Sequence, residues 1–147
     1  MRLAVVNGPN LNLLGTREPA LYGSETLADV EARLSSVARD LGVQVEFLQR
    51  NSEGDLIDFV HGMAGRIDGA VVNAGAYSHT SLALRDAFAA VGVPFVEVHI
   101  TNVHAREPER HRSTLAPVSV GQVIGLGTYG YELALRGLVA RLGHAES

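Results

Sequence analysis

Three short stretches of the chain concentrate amide, hydroxyl and imidazole groups: Asn7 with Asn10; Asn73 followed by Tyr77, Ser78, His79, Thr80 and Ser81; and His99 followed by Thr101 and Asn102. An imidazole can give or take a proton near neutral pH, and amide and hydroxyl donors can steady negative charge as it develops on a substrate oxygen. Together they suit proton-transfer chemistry on a small polar molecule. Any one stretch alone is also ordinary turn chemistry, because Asn, Gly and Ser dominate turns. Their weight as a site depends on whether the fold brings all three to one place. Two absences narrow the chemistry. The chain has no Cys, which excludes disulfides, thiolate nucleophiles and Cys-ligated metals. It has no Lys either, all twelve basic residues being Arg, which excludes imine catalysis and the Lys of a Walker-type phosphate loop.

The elements that must position these groups alternate between strand and helix. Residues 3–6 read as a first strand. Leu27, Val30, Leu34, Val37 and Leu41 step by three and four, the spacing of one helix face, with Thr26 placed to cap that helix and Gly42 to end it. Residues 43–48 read as a second strand, and Ser52 opens a helix carrying Leu56, Ile57, Val60, Met63 and Ala64. A third strand at 69–72, a helix at 81–91, a fourth strand at 93–98, a fifth at 118–124 and a final helix at 129–142 complete the pattern. Alternation of this kind predicts a parallel sheet with helices on both faces. Five strands in one short chain fit the flavodoxin-like α/β order 2-1-3-4-5. In that order the first, third and fourth strands are neighbours, and ligands of open α/β sheets bind outside the carboxyl ends of the strands. All three polar stretches follow those ends. Residues 7–24 form the longest piece without predicted helix or strand before the C-terminal region, as a lid or binding loop would.

At 147 residues the chain predicts a single domain spanning 1–147. A formal charge of −4 without a basic stripe speaks against nucleic-acid binding. No apolar run approaches the ~20 residues that cross a bilayer, and the N-terminus shows no signal-peptide pattern, so the expectation is a cytoplasmic protein off the membrane.

The polar stretches are also recognisable. Residues 7–23 read Asn-Gly-Pro-Asn-Leu-Asn-Leu-Leu-Gly-Thr-Arg-Glu-Pro-Ala-Leu-Tyr-Gly and closely resemble the signature of the type II 3-dehydroquinate dehydratases. Residues 49–54 and 56–58, 73–86, 97–102 and 125–131 match the same family in order and spacing. The resemblance implies a flavodoxin-like subunit, a homododecamer built from trimers, and elimination of water from 3-dehydroquinate through an enolate, in the shikimate pathway, with no metal or cofactor. It implies that Tyr22 is the base, that Arg17 favours its ionised form, and that the surrounding loop at 15–24 is a lid. His99 is then the general acid, and Asn10 holds the water or enolate oxygen. Asn73 and the backbone amides of Ile100 and Thr101 would hold the substrate carboxylate, with His79, Asp86 and Arg110 on the ring hydroxyls. Asp86 is the candidate to reach a neighbouring subunit's pocket. Glu97, inside an apolar strand beside His99, stands either to orient that imidazole or to pair with an Arg. The chain departs from the family pattern at Thr101, where many relatives have Ser, and at Glu109, where relatives tend to carry an aromatic.

Other patterns point elsewhere. Gly125, Gly127 and Gly130 fit GxGxxG and suggest a dinucleotide-binding oxidoreductase, but that fingerprint should open the first βαβ unit and be followed by another strand. A receiver domain would need clustered acids at the first strand end and a Lys near the last. A metal hydrolase would have to use His99, His104 and His111, whose spacing matches no standard ligand pattern.

Overall fold

The computed structural model describes residues 1–16 and 18–146, with only the backbone of residues 21, 22 and 144–146. In chain order the main elements are β1 (Arg2–Asn7), α1 (Pro19–Tyr22), α2 (Leu27–Leu41), β2 (Gln44–Gln49), α3 (Glu53–His61), β3 (Gly69–Asn73), α4 (Leu82–Val91), β4 (Phe95–His99), β5 (Gly121–Ile124) and α5 (Tyr129–Glu146). All strand pairings are parallel, and the sheet runs β2-β1-β3-β4-β5. This is the predicted flavodoxin-like order.

Side chains of a strand alternate between faces, and here each face has its own core. Leu3, Val5, Val71, Val96 and Val98 pack with α2 and α5, while Ala4, Val6, Ala70, Val72 and Phe95 pack with α3 and α4. The Phe88 and Phe95 rings, 4.2 Å apart, join α4 to β4. The same alternation sorts the polar groups at the strand ends. Asn7 and Asn73 continue the row that faces α5, whereas Glu97 and His99 continue the row of Phe95.

The helix starts follow their caps. Thr26 and Asp29 form a reciprocal capping box at α2, Gly42 ends that helix in the left-handed region, and the Ser52 and Ser81 hydroxyls cap α3 and α4. Three expectations need correction. The helix after Ser52 stops at His61, and Met63 is buried in the turn that follows. The fifth strand starts only at Gly121, because residues Ala116–Val118 around Pro117 form a 3-10 turn. The 7–24 segment carries a 3-10 turn at Leu11–Leu13 and the short α1, with Pro19 at its first position, where a missing N–H costs nothing. The Gly125–Gly130 run is the turn from β5 into α5. Gly125 takes φ +86, and a side chain at Gly130 would press on Val123. Positive φ accounts for Gly125 and Gly127 and close helix–strand packing for Gly130, and among the described residues no strand follows α5.

The β1 and β3 ends meet in register, Asn7 beside Asn73, and the chain beyond them stays close: Gly8 N–H donates to the Asn73 carbonyl at 2.8 Å. A Cβ on Gly8 would lie 2.3 Å from the Ala74 carbonyl oxygen, a backbone atom that cannot step aside. Gly8→Ala should therefore lower stability by at least the ~1–3 kcal/mol typical of overpacking, and a denaturant melt with an unchanged midpoint would contradict the close approach.

Candidate active site

The ends of β1, β3 and β4 open into one cleft of about 610 Å³, continuous with solvent. Pro9, Asn10 and Leu11 line it from the first loop, Asn73, Gly75, Ala76 and His79 from the second, and His99, Ile100, Thr101 and Val103 from the third, with Arg106 and Arg110 at its edge. The three polar stretches thus converge.

Glu97 is 0% exposed, and its carboxylate is met by three donors: His99 Nε2 at 2.7 Å, the Ser113 hydroxyl at 2.6 Å and Gln122 Nε2 at 2.8 Å. Burial alone would raise its pKa, but these bonds and the His99 charge outweigh it and hold the carboxyl below the usual range. Glu97 therefore orients His99. A carboxylate accepts, so Nε2 carries the hydrogen and Nδ1 is the nitrogen left for the cleft. The His79 ring stacks at 5.7 Å from the His99 ring and donates from Nδ1 to the Arg112 carbonyl at 2.9 Å. Burial first, then the positive charges of His99 and Arg110, lower the pKa of His79 against the opposing pull of Arg112 and Glu97. A neutral His79 offers Nε2 as an acceptor.

The glycine turn after β5 aims the third loop. Gly125 N–H donates to the His99 carbonyl and Gly127 N–H to the Ile100 carbonyl, both at 3.0 Å. In a trans peptide the N–H lies opposite the C=O, so the amides of Ile100 and Thr101 point away from that turn. On the first loop Asn10 has φ +69, a conformation that few residues other than Gly adopt. Its N–H donates to Asn51 Oδ1 at 3.0 Å, and Gln49 Nε2 bridges Asn51 Oδ1 and the Gly8 carbonyl at 3.1 and 3.0 Å. Beneath the cleft, Gly75 N–H donates to Asn73 Oδ1 at 3.1 Å, Asn73 Nδ2 donates to the Tyr131 hydroxyl at 2.9 Å, and that hydroxyl donates to Asn7 Oδ1 at 2.6 Å.

Of the predicted site residues, Asn10, Asn73, His79, His99, Ile100, Thr101 and Arg110 stand together around the cleft. Arg110 Nε pairs with Glu107, one turn of 3-10 helix away, and Glu109 is exposed. Asp86 does not line the cleft: it lies on α4 with 73% of its side chain exposed, because Leu84, Ala87 and Phe88 take the inward face. Arg17 and the side chain of Tyr22 lie outside the described residues. Sequence reasoning missed Ser113, Gln122, Asn51 and Tyr131. Only the Glu97–His99 relation carried a signal, since residues two apart on a strand share a face.

The chain matches the family model Dehydroquinase class II over residues 1–139. It is 63% identical over 142 residues, 97% of this chain and 93% of the relative, to a 3-dehydroquinate dehydratase of Gemmatimonas aurantiaca. It is 54% identical over 133 residues, 90% of this chain and 88% of the relative, to Catabolic 3-dehydroquinase 1 of Aspergillus terreus. The crystal structure of a type II dehydroquinase from Propionibacterium acnes superposes with a TM-score of 0.90 at 43% identity, covering 95% of this chain and 96% of that one. The chain belongs to the class II dehydroquinase family.

The Glu97 carboxyl sets a pH dependence. Its folded pKa is depressed, so the unfolded chain binds the extra proton first as pH falls. The stabilisation is complete above the ordinary Glu range of ~4.3 and is lost as pH drops through the lower folded value. Denaturant midpoints measured from pH 7 to pH 3 should fall more steeply for the native chain than for Glu97→Gln. Parallel curves would show that the carboxylate is not held as described.

Proposed function

We propose that the chain is a hydro-lyase, a 3-dehydroquinate dehydratase, that eliminates water from 3-dehydroquinate to give 3-dehydroshikimate through an enolate. Family membership supports the activity, and the observation that carries the mechanism is His99 fixed by buried Glu97 at the cleft wall. In this reading the Tyr22 phenolate takes the proton from the carbon beside the ketone. The C–H electron pair moves into the enolate, and the C–O bond then breaks as His99 protonates the departing hydroxyl, which leaves as water. Free Tyr has a pKa of ~10, and the Arg17 cation is assigned to favour its ionised form. With no Lys in the chain, an imine cannot carry the negative charge, and the task falls to polar donors. No metal or cofactor is needed for these steps.

Asn10, held in its unusual conformation by Asn51, is assigned to the water or enolate oxygen. The Ile100 and Thr101 amides and Asn73 receive the substrate carboxylate, and His79 and Arg110 the ring hydroxyls. Asp86 does not line its own cleft. Its exposure beside Leu82, which is also exposed and one helical turn away, supports a role in a neighbouring subunit's site within a homododecamer built from trimers. We place the chain in the shikimate pathway as one cytoplasmic catalytic domain of residues 1–147, with residues 15–24 as lid. Among the described residues no helix is long and apolar enough to cross a membrane.

Adding 3-dehydroquinate should produce growing ultraviolet absorbance from the conjugated product, and protein treated with substrate and borohydride, then freed of both, should keep its activity and its mass. A flat trace with folded protein, or a reduced adduct in the mass spectrum, would sink the reading. Tyr22→Phe removes only the hydroxyl and should cost roughly two to four orders of magnitude in kcat, the usual contribution of a general base. Near-normal turnover in a folded variant would place the base elsewhere.

Assembly is tested separately. Sedimentation should show a species many times the 15.6 kDa chain, ideally twelve copies. A fully active monomer would remove the role given to Asp86.

A further inference from the structure

Tyr131 is 0% exposed, lies on α5 and does not line the cleft, yet its hydroxyl joins the two Asn residues that end β1 and β3. The direction of this chain of bonds can be worked out from the one end that a backbone group fixes. A backbone N–H can only donate, so Gly75 forces Asn73 to present Oδ1 to it and leaves Nδ2 on the other side. The Tyr131 hydroxyl has a single hydrogen. Since that hydrogen goes to Asn7 Oδ1, the hydroxyl must accept from Asn73, which pins one of the two Nδ2 hydrogens. Burial raises the pKa of Tyr131, so the phenol keeps the hydrogen it donates. Among the described residues the other Nδ2 hydrogen of Asn73 has no protein acceptor, and Asn73 lines the cleft.

We infer that Tyr131 is a positioning residue that pins the Asn73 carboxamide in the orientation set by Gly75 N–H, so that the cleft meets a donor and no acceptor there, which makes this point selective for an anionic group over a neutral one. The inference rests on the reading that Asn73 and the Ile100 and Thr101 amides receive the substrate carboxylate. It adds the residue that pins the Asn73 carboxamide in the orientation Gly75 dictates. α5 packs close to β5 because Gly130, the residue before Tyr131, has no side chain to press on Val123. The hydroxyl touches no reacting atom, so its loss should act on recognition of the carboxylate more than on proton transfer.

The test compares Tyr131→Phe with the native chain by steady-state kinetics and by titration of two ring analogues, one with the carboxylate and one with a carboxamide in its place. The Phe variant should raise KM about tenfold, with kcat changed by less than about threefold. It should also lower the preference for the carboxylate analogue about tenfold, the scale of one charge-assisted hydrogen bond. A purely structural Tyr131 would lower the melting temperature and leave that preference unchanged, which would overturn the inference. Asn7→Ala, which removes the acceptor that aims the Tyr131 hydrogen, should move the preference the same way. It serves if the Phe variant does not fold. Asn73→Asp separates the two levels: it places an acceptor in the cleft and should abolish binding of the carboxylate analogue. If it does so while Tyr131→Phe and Asn7→Ala keep native preference, the carboxylate reading stands and the role of Tyr131 falls. If Asn73→Asp binds the carboxylate analogue normally, the carboxylate reading falls and the inference with it.

Discussion

Glu97 is a carboxylate with no solvent contact in the middle of an apolar sheet, and much of the surrounding chain is arranged to satisfy it. A buried charge left without partners is costly, and removing one partner of a buried pair typically costs about 3–5 kcal/mol. The donors come from three directions: His99 on the same strand, Gln122 on the edge strand, and Ser113 on the long connection between them. Ser113 also accepts the amides of Leu115 and Ala116, which anchors that connection and seats Leu115 in the core. Satisfying Glu97 therefore folds the irregular stretch after β4 down onto the sheet. The ring of His99 is held as a consequence.

The same connection builds the other wall of the site. Thr114 donates from its amide to the Ser78 carbonyl at 2.7 Å and from its hydroxyl to the carbonyls of Ser78 and Ser81. Arg112, two residues before, supplies the carbonyl that fixes His79. One stretch of chain thus bears on both stacked imidazoles, on His79 directly through the Arg112 carbonyl and on His99 through Ser113 and the Glu97 carboxylate. Different partners give the rings different chemistry. His79 is pushed toward the neutral form, an acceptor, while the hydrogen of His99 Nε2 is committed to Glu97.

The layered architecture was legible in the sequence because its signals are local. Helical spacing from Leu27 to Leu41, the Thr26 and Ser52 caps and the apolar strand cores each lie within one element. The strand order followed from alternation and length, and once that order was set, three polar loops had to meet. What the sequence withheld were partners fixed only by tertiary packing: Ser113 lies 16 residues from Glu97, Gln122 lies 25 away, and Tyr131 lies 124 from Asn7. A Ser in a loop, a Gln on an edge strand and a Tyr in an amphipathic helix look like countless others. Two open alternatives closed differently. Glu97 faces His99 because both lie on one side of the strand. The Gly125 turn serves the cleft by holding the carbonyls of His99 and Ile100.

A site with so few formal charges must discriminate by the orientation of neutral groups, and carboxamides are ambiguous because each carries both a donor and an acceptor. In and beside this cleft three of these ambiguities are removed by a backbone group that is not ambiguous. Gly75 N–H fixes Asn73, the Gly8 carbonyl fixes Gln49 as a donor, and Asn10 N–H fixes Asn51 as an acceptor. The Gln49–Asn51 contact then falls donor to acceptor without further constraint. Backbone polarity is set by the fold, so the sheet register that pairs Asn7 with Gln49 on one side and Asn73 on the other also sets the polarity of the cleft. A one-residue slip of β2 would turn Gln49 to the opposite face, and a slip of β3 would turn Asn73. Recognition and register are one constraint here, and they are satisfied together by the same apolar alternation that forms the core.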